Sequence, residues 1–158
     1  RRPELLHRVV ISGAAAGMGR FLGAVSKWSA AFYRWLDTET IVKLSVKQFR
    51  IPDGYVDMLR DDMAVGATEA FARHVADALM SLQLPTDTSV PLLVAVGERE
   101  TRFAKQSARK IVETVPGARG VMAPAAGHVW NLEKPELFAH TVRAWCEDKP
   151  LPTELRAL

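Results

Sequence analysis

The run VPLLVAVGERE, residues 90–100, decides how this chain is read. Residues 90–96 are apolar without a break, the pattern of a strand covered on both faces in a parallel sheet; a half-exposed strand would alternate. Gly97 ends the run and Glu98-Arg99-Glu100 follows as a polar turn. Downstream, residues 102–115 place Ala104, Ala108, Ile111, Val112 and Val115 on one helical face, and Pro116-Gly117 stops that helix. A shorter strand is expected over residues 119–123, leading through Pro124-Ala125-Ala126-Gly127 to His128. The last helix begins near Pro135, with Leu137, Phe138, Val142 and Trp145 as its inward set. Strand, helix, strand and helix with short connections predict a right-handed parallel βαβ unit. The tail Asp148-Lys149-Pro150-Leu151-Pro152 is expected to end the last helix and lie on the surface.

Upstream of this unit the pattern changes. Pro85-Thr86-Asp87-Thr88-Ser89 is a turn-rich linker, and residues 38–82 hold helical stretches without a convincing strand. Over residues 18–36, Phe21, Leu22, Val25, Trp28, Phe32 and Trp35 recur at the spacing of one helix face. Further helices are expected at 38–48, 52–63 and 67–82, the second with Pro52 in its first turn, where a missing N–H costs nothing. Before all of these, Val9-Val10-Ile11 closed by Ser12-Gly13 reads as a short buried strand. The fold class is therefore α/β, in three parts: a core strand within residues 1–16, a helical block over 17–85, and a βαβα section over 86–158.

The composition is that of a folded globular chain: 48% apolar and 25% charged over 158 residues. A net charge of +3 comes from scattered Lys and Arg with no like-charge block, which argues against a nucleic-acid groove. No apolar stretch is long enough to span a bilayer, so no membrane partner is expected. Cys146 is the single cysteine, so no intramolecular disulfide can form; a cytoplasmic compartment fits, with Cys146 as a small core residue of the last helix. The chain starts at Arg1 and enters a strand almost at once, which suggests that something upstream is missing.

In a parallel sheet, functional groups gather on loops leaving the carboxyl ends of the strands. Two such loops carry ionisable groups, Glu98-Arg99-Glu100 and His128. If their strands are neighbours, a carboxylate from the first reaches the imidazole on the second. Such a pair is an oriented general base: the carboxylate fixes the ring tautomer and stabilises the imidazolium. His7, His74 and His140 lack acidic or metal-ligand spacing, and no metal or cofactor is indicated.

Residues 90–100, followed by Gly127-His128-Val129-Trp130-Asn131-Leu132-Glu133-Lys134-Pro135-Glu136-Leu137-Phe138, resemble the closing section of the α/β-hydrolase family. In that family the penultimate strand is followed by Gly-x-x-Asp/Glu, and the last by Gly-His and a Pro-Glu-x-Phe helix start. The opening residues 3–13 are similar to the family's strand after the nucleophile helix, and residues 17 to about 84 correspond to its helical cap. The resemblance implies His128 as general base and Glu100 as the acid orienting it, with Glu98 the second candidate. Members that place the acid after the earlier strand would need a carboxylate there, and Ala14-Ala15-Ala16-Gly17 supplies none. It also implies that a cap helix lends aromatics to a substrate pocket: Trp28 and Phe32 are the candidates, with Phe21, Tyr33 and Trp35 alongside, although plain helix packing accounts for any one of them as well. Trp130 either lines that pocket or packs beneath the histidine loop. Glu133 is expected to help begin the last helix, with Asn131 as its cap.

One departure is large. The nucleophile elbow Gly-x-Ser-x-Gly is missing, and Ser12-Gly13-Ala14-Ala15-Ala16-Gly17 lacks the glycine two places before its serine. The reading is therefore the C-terminal part of an α/β-hydrolase sheet with an inserted cap, serving an esterase-like reaction on a small molecule through a nucleophile outside the chain. A serine is the usual nucleophile and an aspartate the alternative. Alone, the chain is expected to be nearly inactive. The competing reading is an inactive fragment or binding module whose half-sheet and cap meet the missing N-terminal half or another copy of the chain. A Rossmann-like nucleotide site fails, because Ala14-Ala15-Ala16-Gly17-Met18-Gly19 is not a phosphate loop.

Overall fold

In the computed structural model of the chain, residues 2–158 are described, except for the side chains of Pro3, Arg20, Phe32, Tyr33 and Arg34. The expected substrate contact Phe32 therefore falls outside the described residues, as does Tyr33. The chain divides into two compact units, one formed by Arg1–Ala16 with Leu84–Leu158 and the other by Gly17–Gln83.

The first unit is built on a mixed four-stranded sheet in the order β1-β2-β3-β4. Strands β1 (Val9–Ser12), β2 (Leu92–Gly97) and β3 (Arg119–Ala123) are parallel, and the two-residue β4 (Arg156–Ala157) runs antiparallel to β3. Register sets Ser12 against Ala95 and Gly97 against Ala123, so the loops leaving these three strands emerge along one edge. Side chains of β2 alternate between two buried faces, which is why its sequence is apolar throughout. Val94 and Val96 pack on Ala108, Ile111 and Val115 of α5 (Arg102–Thr114). Leu93 and Ala95 face Trp130 and Trp145, from α6 (Trp130–Glu133) and α7 (Pro135–Cys146). Thr101 caps α5 by accepting the Ala104 N–H at 3.2 Å, and Pro135 opens α7 from its first turn.

Two expectations for this unit are corrected. Asp148, Lys149 and Pro150 are exposed as expected, but the tail then packs Leu151 and Leu155 on the core, buries Pro152 and ends in β4, one strand more than expected. Gly120 makes this possible: a Cβ there would stand 2.9 Å from Leu158. Cys146 is exposed rather than core, because Thr141, Ala144 and Trp145 take the inward positions of α7 and turn the next residue outward.

The second unit contains α1 (Arg20–Ser29), α2 (Thr38–Phe49), α3 (Val56–Gly66) and α4 (Glu69–Ser81). The single helix expected over residues 18–36 is instead α1 followed by a 3-10 turn over Ala30–Trp35. Helix α1 lies against α4 so closely that a Cβ on Gly23 would meet the Met80 sulfur at 2.2 Å. Packing here runs through small residues, with Ala30 and Ala76 buried, while Phe21, Trp28 and Trp35 of the expected inward stripe are 84%, 70% and 76% exposed. Asp37 caps α2 by accepting the Thr40 N–H at 2.9 Å. Among the described residues no helix is long and apolar enough to cross a membrane.

Candidate active site

The three parallel strands bring their carboxyl ends together around one imidazole. After Gly97 the chain turns sharply: the Glu98 N–H donates to the Ala123 carbonyl at 2.9 Å, and the Glu100 N–H turns back to Gly97 at 3.1 Å. Glu100 is thereby folded under the loop from β3, its side chain only 3% exposed, and its Oε1 lies 2.7 Å from Nδ1 of His128. Glycine at position 97 is obligatory for this approach. A Cβ there would stand 2.1 Å from the Gly127 carbonyl oxygen and 2.4 Å from that of Ala126, both backbone atoms that cannot swing aside.

The end of β1 completes the arrangement. Gly13 donates its N–H to Ala95 at 3.2 Å and adopts φ +59°, a conformation glycine reaches without penalty. A Cβ there would lie 2.8 Å from Cε1 of His128 and 3.1 Å from Nδ1, so the backbone itself flanks the ring.

The hydrogen bond that Glu100 accepts from the ring raises the pKa of His128 above its ordinary value of 6.5; partial burial opposes that and the Glu100 charge adds to it. The carboxylate thus faces Nδ1, the proton resides there in the neutral ring, and Nε2 becomes the basic atom. Glu98, the second candidate for the acid, is engaged elsewhere. It accepts the Ala125 N–H at 2.6 Å and an Arg156 guanidinium N–H at 2.5 Å. The Ala125 bond, the largest effect, holds its carboxyl below the usual carboxylate range; desolvation opposes it and the Arg156 charge adds to it.

Trp130 is 1% exposed, packs edge-on against Phe138 with ring centroids 4.8 Å apart, and donates its indole N–H to Ser12 Oγ at 2.7 Å. It sits beneath the histidine loop, tying that loop to β1. Glu133 and Asn131 do not cap α7, which has no side-chain cap. Glu133 instead accepts the Gly127 N–H at 2.7 Å. Ser12, Gly13 and Glu133 were not read from sequence as site residues. Gly13 carried a signal, as a glycine directly after a strand that ends beside the histidine loop. Glu133 carried none, since its role depends on α6 folding back over the loop.

In the second unit, Trp28 lines a cleft of about 790 Å³ with Lys27, Arg73, Asp77 and Met80, and the Lys27 ammonium donates to Asp77 at 2.8 Å. Among the described residues no group of three or more His, Cys, Asp or Glu side chains is placed to hold a metal ion.

No protein-family model matches the chain, and no curated protein matches its sequence. Solved structures do. The enol-lactonase from Burkholderia xenovorans LB400 superposes with a TM-score of 0.74 at 22% identity, over 93% of this chain and 58% of that one. A thermophilic esterase from Thermogutta terrifontis gives 0.72 at 19% identity, over 94% of this chain and 58% of that one. MGS-M2, an α/β-hydrolase enzyme from a Medee basin deep-sea metagenome library, gives 0.73 at 13% identity, over 98% and 61%. The fold is that of the α/β-hydrolases, and the chain spans about three-fifths of the length of these structures.

Proposed function

We propose that this chain supplies the acid and histidine of a serine-type α/β-hydrolase that acts on an ester-like small molecule, with the nucleophile outside residues 1–158. The observation that carries the reading is the 2.7 Å contact between buried Glu100 and His128 at the carboxyl edge of a parallel sheet. Nε2 of His128 takes the proton of the attacking hydroxyl and returns it to the departing alkoxide, and a second cycle activates water against the acyl-enzyme. General-base catalysis of this kind contributes about 10²–10⁴-fold. Glu100 orients the ring and stabilises the imidazolium that forms in each step.

An ester-like substrate is favoured because an esterase and an enol-lactonase are among the structures of like fold. The helical unit acts as the cap, with Trp28 as a substrate-contacting aromatic. A second reading, a half-sheet that binds rather than catalyses, is favoured by one observation: among the described residues β1 is the outer strand of the sheet and pairs only with β2.

Fluorophosphonate labelling and p-nitrophenyl ester turnover on the purified protein, combined with peptide mapping, test the proposal. Label on a serine outside residues 1–158, lost together with turnover in H128A, is the expected result. Labelling and turnover indifferent to H128A would overturn it. A mass equal to residues 1–158 with no label would leave the binding module as the better account.

A further inference from the structure

Resting on the reading of His128 as the base, we infer that Glu98 and Glu133 are positioning residues that grip the backbone before it from two sides. Three consecutive residues of the loop leaving β3 have a backbone polar group held by another segment. Ala125 donates its N–H to Glu98 Oε2 at 2.6 Å, the Ala126 carbonyl accepts the Arg99 N–H at 2.8 Å, and Gly127 donates its N–H to Glu133 Oε1 at 2.7 Å. Two of the three partners are carboxylates, the stronger class of acceptor for an N–H.

The arrangement explains a strained residue. Ala125 has φ +51°, which a residue with a Cβ holds only when its surroundings over-determine it. The Glu98 bond pins its N–H in that conformation. Glu98 and Arg99 belong to the same turn that presents Glu100, so the acid and the histidine loop are tied together at two points besides their own contact. Glu133 approaches from the other side at the end of α6, and the first residue of that helix, Trp130, is itself anchored to Ser12. The Glu133 bond is partly buried while that of Glu98 is exposed and shared with Arg156, so Glu133 is the stronger of the two posts.

The test uses the ¹⁵N-labelled protein as isolated, with E133A and E133Q compared by amide exchange at Gly127 and by NMR titration of the His128 ring. Glutamine keeps an oxygen acceptor for the Gly127 N–H. In E133A the Gly127 amide is expected to exchange about tenfold faster, the loss of one charge-assisted bond, and the ring to titrate lower because its hold on Glu100 loosens. E133Q is expected to restore both. A residue needed only for folding would alter global stability without moving the ring. Folded E133A whose His128 titrates at the wild-type position would overturn the inference. Should E133A not fold, E98A carries the same test, read at the Ala125 amide and the His128 ring. The underlying pair is probed separately: an E100Q protein whose ring titrates as in the wild type overturns the pair itself, whatever E133A does.

Discussion

Glu100 meets His128 from the buried side: the carboxylate is 3% exposed, the imidazole 38%, and 2.7 Å separates them. The carboxyl is fixed in the interior while the imidazole stands partly in solvent. On the proposed reading of His128 as a general base, this asymmetry holds the orienting carboxyl in place while leaving the ring within reach of a reacting group.

The pair makes stability depend on pH in a definite direction. The folded-state pKa of His128 lies above the unfolded value of about 6.5, so the contribution of the charged ring is fully present below that pH and is lost as pH rises through the folded-state pKa. With more than a third of the ring exposed, the effect is a modest one. Urea denaturation of wild type and E100Q at pH 5.5 and pH 9 reads it directly. The stability gap between them is expected to be wider at pH 5.5; an equal or reversed gap would refute the assignment.

Gly97 is predicted to be among the least replaceable residues of the first unit. In G97A the new methyl meets two backbone carbonyls, at 2.1 and 2.4 Å, and relief requires moving the histidine loop. The expected loss is about 1–3 kcal/mol or more, seen as a lower urea midpoint or insoluble protein. G66A is the control, since nothing lies within 4 Å of a Cβ there; it is expected to be stabilising by up to about 1 kcal/mol. Comparable midpoints for the two variants would rule out the backbone crossing.

The indole bond from Trp130 to Ser12 ties the histidine loop to β1 and is measurable as a coupling. W130F keeps the ring against Phe138 and removes the donor; S12A removes the acceptor. A double-mutant cycle on thermal unfolding is expected to give about 0.5–1.5 kcal/mol of interaction energy. Additive single effects would mean that the bond contributes nothing and the loop is held by packing alone.

Much of this was legible in the chain. The unbroken apolar run before Gly97 identified β2 because a strand with helices on both faces has no polar side to show. The bounds of β3 are those expected from sequence, and both α5 and α7 end within one residue or begin where Pro116-Gly117 and Pro135 indicate. Glu100 and His128 were readable as partners because adjacent parallel strands deliver their loops to one place. What escaped was non-local. Strand β4 has two residues and sits in a proline-bearing tail, below any periodicity, and it exists because Gly120 leaves room for Leu158. The aromatic stripe on α1 reads as an inward face at 3.6 residues per turn, yet Gly23 sets the face that meets α4. Glu133 stands beside helix-starting residues and looks like one of them; only the fold of α6 turns its carboxylate toward Gly127.

The close approach of Gly97 to the Ala126 and Gly127 carbonyls has a consequence for how this protein can change over time. Where strand ends touch through main-chain atoms, the spacing between acid and base does not depend on which side chains fill the layers above and below. Core residues on either face of the sheet are then open to exchange, compensated locally, without the distance between Glu100 and His128 drifting. A shared architecture at 13–22% identity is the outcome such a frame permits. Its cost is that a few positions carrying no functional group at all are the ones least able to vary.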